Sequence, residues 1–351
     1  MLRVLYPDTR ALGGAEADKA GAGDGIELLT YDATTRAEIP DEVWRGADAV
    51  VIGVGITVTP EIVDVLDSCR LIVRMGVGYD NIDIAAAARR GIPVANVPDY
   101  GTTDIADTAV ALLSGFARGL PAYDAALKRD VVANWSITQA PVIRRMKGMP
   151  VGVVGLGRIG TAAALRLKAF DMPVHFYDPY VANGIELALG VTRHQTLESL
   201  LGAVDALTIH AFLNAETRNL IDAKAVAAMR PGTILVNTAR GPICDLDAIH
   251  DGLKSGRIAA AGLDVLPQEP PDPDHKLIAA WRRDEEWIRG CLVLLPHAAF
   301  YSAQSLWDIR YKAAETVALM LKQGRLRNCV NGELLKEARG RMPGGQSHGT
   351  A

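Results

Sequence analysis

Four titratable side chains stand just beyond short apolar runs in the second half of the sequence: His210 after "ALTI", Arg240 after "TILVN", Glu269 after "AAAGLDV" and His297 after "CLVLL". Their types suit one task. A guanidinium fork matches a planar carboxylate, an imidazole carries a proton near neutral pH, and a carboxylate can orient that imidazole. Taken singly, each has a plainer reading: Arg240 in "TARG" as a solvated loop cation, Glu269 within "LPQEPPDPDH" as a solvated acid, His297 as a hydrogen-bonded structural histidine. Their recurrence at the ends of successive apolar runs makes them a set, provided the runs are strands of one open sheet, whose ligands bind beyond the carboxyl ends.

Two further features belong to the same series. "VGVVGLGRIGTAAALRLKAF" (151–170) contains Gly155, Gly157 and Gly160 as G-x-G-x-x-G. The triplet alone is weak in a chain with 34 glycines. Here it follows an apolar run and opens a helical pattern, and "VHFYDPY" places Asp178 at the end of the next run, the spacing of a dinucleotide fingerprint. A pyrophosphate must approach backbone N–H groups at a helix N-terminus, and a Cβ at the first two glycines would hold it away. Asp178 would accept from the adenosine ribose hydroxyls and repel a 2′-phosphate, so the expected cofactor is NAD rather than NADP.

The elements that must position these groups read as two βα series. Strands are expected at 3–6, 49–53, 71–74 and 92–96, then a mostly helical segment at 103–149, interrupted near Pro121 and Pro141. Six more strands are expected at 151–154, 174–177, 206–209, 233–237, 259–265 and 291–295. Apolar residues from Leu306 to Met320 recur at helical spacing and end at Gly324, a C-cap residue, in a helix expected to return to the first series. The Gly-rich, polar end of the chain, 341–351, is expected to be disordered.

Length and composition agree with a folded two-domain protein: 351 residues, 49% of them hydrophobic. The 37 basic and 41 acidic side chains are interspersed, for a net charge of −4, so neither nucleic acid nor an anionic membrane is expected as a partner. Asp8 interrupts any early signal-peptide run, and no stretch reaches membrane-span length, so a cytoplasmic protein is expected. Four widely separated cysteines imply free thiols in a reducing compartment, and no histidine spacing suggests a metal.

With these motifs in order, the sequence resembles the D-isomer-specific 2-hydroxyacid dehydrogenases, from "VRMGVGYDNID" (73–83) through "GLGRIG", "NTARG" (237–241) and "GLDVLPQEP" (262–270) to "PHAAFYS" (296–302). Within that family it most resembles the C-terminal-binding-protein branch, in "AFDMPVHFYDPY", "NTARG", "PHAAFYS" and "NCVN" (328–331). The resemblance implies an α/β fold of two flavodoxin-like or Rossmann-like doubly wound parallel-sheet domains with a cleft between them. Residues 1–103 plus 302–340 would bind substrate, 104–301 would bind NAD, and the chain would form a homodimer through 103–149.

By position, the resemblance implies that Arg240 pairs with the substrate carboxylate and carbonyl oxygen, that His297 is the acid/base, and that Glu269 is its hydrogen-bonded partner. Val77 and Gly78 would present backbone amides to the substrate carboxylate, and Phe300 would form a substrate wall. Gly155, Gly157, Arg158, Ile159, Gly160 and Asp178, with His210, Ala211, Phe212, Asn214, Thr238 and Ala239, would line the cofactor, and Asp264 would lie near the nicotinamide carboxamide. Three departures from the family pattern stand out: Phe300 where the branch has tryptophan, no proline in "HAFLN", and Asp107 where glutamate is common.

The implied function is NAD-dependent interconversion of a 2-keto acid and a D-2-hydroxy acid, with hydride moving between nicotinamide C4 and substrate C2. The alternative is an NAD(H)-sensing corepressor-like assembly protein with residual activity, disfavoured by the lack of a long interaction-rich tail. A D-3-phosphoglycerate dehydrogenase would need a basic phosphate cluster in the first series, where Arg74 stands alone, and a regulatory domain after residue 340.

Overall fold

The structure is a computed structural model that describes residues 1–8, 15–140 and 142–340. Pro141 and the expected disordered end at 341–351 lie outside the described residues. The chain divides into two units, Met1–Gly101 with Ser302–Ala351, and Thr102–Tyr301.

The first unit is built on five parallel strands, β1 (Leu2–Tyr6), β2 (Ile26–Thr30), β3 (Ala49–Ile52), β4 (Ile72–Arg74) and β5 (Val94–Asn96), in the order β2-β1-β3-β4-β5. Its strands read as unbroken apolar runs because both faces are covered. Leu5, Val50, Ile52 and Ile72 pack with Trp44, Ile62 and Leu66 on one face. Val4, Tyr6, Val51 and Val73 pack with Ile309, Ala313 and Val317 of the helix Ala303–Gln323 on the other. That helix is capped by Ser302, which accepts from Ser305 N–H, and by Gly324 at φ +67. The expected return of the chain to the first series is therefore what the structure shows. Strand β2 was absent from the expectation, because an edge strand with one neighbour and a half-exposed pattern carries little apolar signal.

One charge pair is buried here. Arg310 donates through Nε (3.0 Å) and Nη2 to Asp18 Oδ2, and the two side chains are 7% and 1% exposed. Burial raises the Asp18 pKa, and the Arg310 charge and hydrogen bond oppose that rise. The pair sits where the helix Glu16–Ala22 crosses the long helix so closely that a Cβ on Gly21 would lie 2.3 Å from Tyr311 O.

The second unit holds seven parallel strands, β6 (Val151–Val154), β7 (Val174–Tyr177), β8 (Thr192–Arg193), β9 (Ala206–Ile209), β10 (Thr233–Asn237), β11 (Ile258–Leu263) and β12 (Leu292–Leu294). Their order is β12-β11-β10-β9-β6-β7-β8, so the sheet reverses direction of growth between β6 and β9. The helix Thr102–Ala117 buries Ala106, Ala109, Leu113 and Phe116 against Val151, Val153, Ile234 and Val236. Strand β8, two residues at the edge, was not expected, and β11 ends at Leu263, which leaves Asp264 in the loop. The helical segment is interrupted near Pro121 as expected, between Ala117 and Leu120, and Pro121 itself lies in the first turn of the second helix, Leu120–Arg129, where its missing N–H costs nothing.

Replacing Asp18 with alanine strands a buried guanidinium, and we expect a loss of about 3–5 kcal/mol in urea unfolding of the purified chain; a loss under 1 kcal/mol would show that the pair is dispensable.

Candidate active site

The glycine loop is shaped by contacts, one glycine at a time. Gly155 follows β6 at φ +87, and a Cβ there would lie 2.7 Å from Ala211 N, so the loops after β6 and β9 touch at the switch point of the sheet. A Cβ on Gly160 would lie 2.0 Å from Gly155 O, which is why the helix Arg158–Ala169 can press against its strand. Gly157 is different: nothing lies within 4 Å of the Cβ position, and the helix it opens has no side-chain cap. The first-turn amides, those of Arg158, Ile159 and Gly160 among them, have no acceptor within the helix and lie at its positive end. Asp178, at the end of β7, accepts from Leu156 N–H (2.8 Å) and Tyr180 N–H (2.9 Å), which holds its carboxylate against the same loop.

Across the switch point, His210 donates its N–H to Val154 O (2.8 Å), and its Nε2 meets Thr208 Oγ1 at 3.0 Å. Burial pushes the His210 pKa down to about 4, so the ring is neutral at physiological pH. Its Nδ1 is buried with no partner among the described residues, and so is Thr238 Oγ1. The loop that lacks the family's proline is closed by polar contacts instead. Asn214 Oδ1 accepts from Glu216 N–H (2.9 Å) and Thr217 N–H (3.0 Å), and Thr217 Oγ1 donates to Phe212 O (2.6 Å). Asn214 thus shapes the loop, and Phe212 is left 41% exposed next to Ala211.

Beyond β10, the buried Asn237 donates through Nδ2 to Arg240 O (2.9 Å) and accepts from Ala239 N–H (3.0 Å), fixing the "NTARG" turn. Gly241 is needed because a Cβ there would lie 1.9 Å from the Leu266 carbonyl carbon. This close pass brings the Arg240 loop against the loop that carries Glu269. Asn237, Gly241 and Thr217 were not among the expected site residues; the "NTARG" motif contained the first two without showing their contacts.

His297 Nδ1 lies 2.7 Å from Glu269 Oε2, and Glu269 Oε1 accepts from Leu266 N–H at 2.9 Å. The Glu269–Pro270 peptide is cis. Burial would raise the Glu269 pKa, but the hydrogen bond and charge of His297, the Leu266 amide and the Arg240 charge outweigh it and hold the carboxyl below its usual range. An ionised carboxylate only accepts, so Nδ1 carries a hydrogen and Nε2 is the nitrogen left for chemistry. His297 itself sits at φ +55, a left-handed conformation unusual for a side chain with a Cβ.

Asp264 supports that conformation. Its carbonyl accepts from His297 N–H (2.8 Å), and its Oδ1 accepts from Ala298 N–H (2.7 Å) and Ala299 N–H (3.0 Å). Asp264 is 2% exposed; burial raises its pKa, with the two amides opposing. Phe300 is half-buried in the following turn, which Thr108 Oγ1 tethers by donating to Ala299 O (3.1 Å). Asp107 pairs with Arg166 Nε. Val77 and Gly78 belong to the first unit, in the turn after β4, where Val77 O accepts from Asn96 Nδ2 (2.7 Å).

The residues present fit a dinucleotide. Two buried polar atoms lack partners, an uncapped helix presents its amides, and open space stands over Gly157. No group of three or more potential metal ligands occurs among the described residues.

A family model, "D-isomer specific 2-hydroxyacid dehydrogenase, NAD binding domain", matches residues 110–299. The chain belongs to this family. The family is one of 2-hydroxyacid dehydrogenases, and the matched domain is its NAD-binding one. Among curated proteins, the D-3-phosphoglycerate dehydrogenase of Archaeoglobus fulgidus is 35% identical over 88% of this chain and 56% of its own length. That of Methanocaldococcus jannaschii is 36% identical over 70% of this chain and 46% of its own. The chain spans about half the length of these relatives.

Among solved structures, an NADPH-dependent glyoxylate/hydroxypyruvate reductase from Sinorhizobium meliloti, in complex with NADP and malonate, matches with TM-score 0.80 and 29% identity, over 94% of this chain and 96% of that one. A D-lactate dehydrogenase from Aquifex aeolicus, complexed with NAD and lactic acid, matches in fold with TM-score 0.78 and 24% identity, over 95% and 98%. The α/β architecture of parallel sheets expected for the family is thus the one present.

The glycines separate two roles. Gly157→Ala should leave the unfolding midpoint unchanged and weaken NADH binding at least tenfold, whereas Gly160→Ala should cost roughly 1–3 kcal/mol of stability through backbone overlap. Wild-type NADH affinity in Gly157→Ala, measured by fluorescence titration, would rule out the loop as the pyrophosphate site.

Proposed function

We propose that the protein is an NAD-dependent dehydrogenase that interconverts a 2-keto acid and a D-2-hydroxy acid. The observation that carries this reading is the His297–Glu269 pair, in which Nδ1 is occupied by the carboxylate and Nε2 is left to exchange a proton. It stands at the same end of the sheet as the glycine loop, with the Arg240 turn packed against the Glu269 loop.

On this reading the pyrophosphate is held by the amides of the Gly155–Gly160 loop, the adenosine ribose by Asp178, and the remaining cofactor by His210, Ala211, Phe212, Thr238 and Ala239. The bound dinucleotide supplies or accepts the hydride at substrate C2. Arg240 grips the carboxylate and carbonyl oxygen, and Phe300 bounds the substrate side chain. His297 Nε2 donates a proton to the carbonyl oxygen in reduction and takes it from the hydroxyl in oxidation, while Glu269 stabilises the imidazolium that alternates with the neutral ring. Asp264 acts through His297 by fixing the turn that carries it. The Asp178 carboxylate supports NAD over NADP.

Two further attributes complete the reading. A homodimer is supported by the exposed apolar residues Val132, Trp135 and Ile137, all in the segment expected to pair. A cytoplasmic setting is supported by the four free cysteines; no described helix is long and apolar enough to cross a membrane. A phosphorylated substrate is the second reading, favoured by the identity to two D-3-phosphoglycerate dehydrogenases. Against it, Arg74 is buried and donates to Asn81 Oδ1 (3.3 Å) and Met75 O.

A panel of 2-keto acids with NADH, including phosphohydroxypyruvate, tests the function. Rapid NADH oxidation with one unphosphorylated acid is expected; tight NADH binding without turnover would instead favour the NAD(H)-sensing role suggested by the C-terminal-binding-protein branch. His297→Gln and Arg240→Ala should each lower kcat/KM at least about a hundredfold while NADH still binds, and full activity in either overturns the assignment. The pH dependence has a definite sign. Glu269 is depressed in the folded chain, so its pairing contributes stability above an unfolded value of about 4.3, and that contribution is lost as pH falls through the folded pKa. Glu269→Gln should therefore lose stability at neutral pH and show a flatter acid limb in denaturation midpoints than the wild type.

A further inference from the structure

Beyond the ends of β7 and β9, the Tyr180 hydroxyl donates to Glu216 Oε2 across two loops. Both partners are fixed from behind. Tyr180 N–H is held by Asp178 Oδ1 (2.9 Å), and Glu216 N–H by Asn214 Oδ1 (2.9 Å). Tyr180 is 72% exposed, so burial does not explain its position. The hydrogen bond to Glu216 raises the phenol's pKa, so the hydroxyl remains a protonated donor at physiological pH. An exposed contact of this kind contributes little to stability; its consequence is to hold a negative charge one tyrosine's length from Asp178.

Arg193, which reaches the Asp178 carbonyl, is already committed. Arg193 lies over the Phe176 ring (4.9 Å), pairs with Glu186 (3.0 Å), and donates to the carbonyl oxygens of Asp178, Val181 and Ala182. The rim formed by Asp178, Tyr180 and Glu216 carries two carboxylates, with Arg218 two residues beyond Glu216 in the same loop. A 2′-phosphate on a ribose held by Asp178 would bring nearly two further negative charges to this rim. Screening over a Debye length of about 8 Å at physiological salt makes that repulsion modest and salt-dependent.

We propose that Glu216, held in place by Tyr180, is a second specificity-determining charge that acts with Asp178 to select the dinucleotide lacking a 2′-phosphate. This rests on the assignment of Asp178 to the adenosine ribose. Neither residue touches the reacting atoms, so the readout is binding rather than turnover.

NADH and NADPH are titrated by calorimetry against the wild type, Glu216→Gln, Tyr180→Phe and Asp178→Asn, at low and high salt. Glu216→Gln is expected to tighten NADPH about three- to tenfold at low salt, to leave NADH within about twofold, and to differ little from wild type at high salt. Tyr180→Phe, which releases the carboxylate, should shift NADPH in the same direction by less. An unchanged NADPH affinity in Glu216→Gln overturns the proposal, and so does an equal change for both cofactors, which would report general disturbance of the loop. If Asp178→Asn relaxes the exclusion and Glu216→Gln does not, the NAD preference stands and only the role of Glu216 falls; if the wild type binds NADPH as tightly as NADH, both fall.

Discussion

The backbone and carboxylate of Asp264 are the fixed point of the candidate site. Its N–H reaches Asn237 O at the end of β10, its carbonyl takes the His297 N–H after β12, and its Oδ1 takes the next two amides. Three strand ends are thereby tied through one buried residue. The arrangement is costly, since burial raises the pKa of the carboxyl, and the amides of Ala298 and Ala299 offset part of that cost. It holds His297 in a left-handed conformation that the residue would not choose unaided.

Close backbone approach does the rest. At the switch between β6 and β9 the chain can pass Ala211 only because Gly155 has no Cβ, and the loops after β10 and β11 meet only because Gly241 has none. The polar side chains that converge there come from segments far apart in sequence and owe their proximity to parallel strands ending at one edge. A parallel sheet gives such an edge for free, because every strand presents its carboxyl end on the same side. The loops then differ in what they hold: amides and the Asp178 carboxylate around β6 and β7, buried polar atoms without partners among the described residues after β9 and β10, and the His297–Glu269 pair after β11 and β12.

Much of this was legible in the residues. Strands buried on both faces announce themselves as continuous apolar runs, so the interior strands were expected where they occur, while β2 and β8 escaped because an edge strand needs no such run. The glycine loop and Asp178 were legible because the fingerprint fixes residue types at fixed spacing, and the structure joins the two through Leu156 N–H. Asn237, Gly241 and Thr217 were not, because their work consists of contacts to backbone atoms of other turns, which no local pattern encodes. Asn214, expected to line the cofactor, also closes its own loop through its carboxamide oxygen, a contact to backbone of the same kind.

The sequence by itself determined the alternation of strand and helix, the dinucleotide fingerprint and the identities of Arg240, Glu269 and His297, since each depends on residue type and near spacing. Tertiary structure alone decided that Nδ1 of His297 meets Glu269, that Asp264 serves as a support for its turn, and that Tyr180 reaches Glu216. Those facts depend on distances between segments dozens of residues apart. Such distances are set by how the strands order in the sheet and by where a missing Cβ lets two backbones pass.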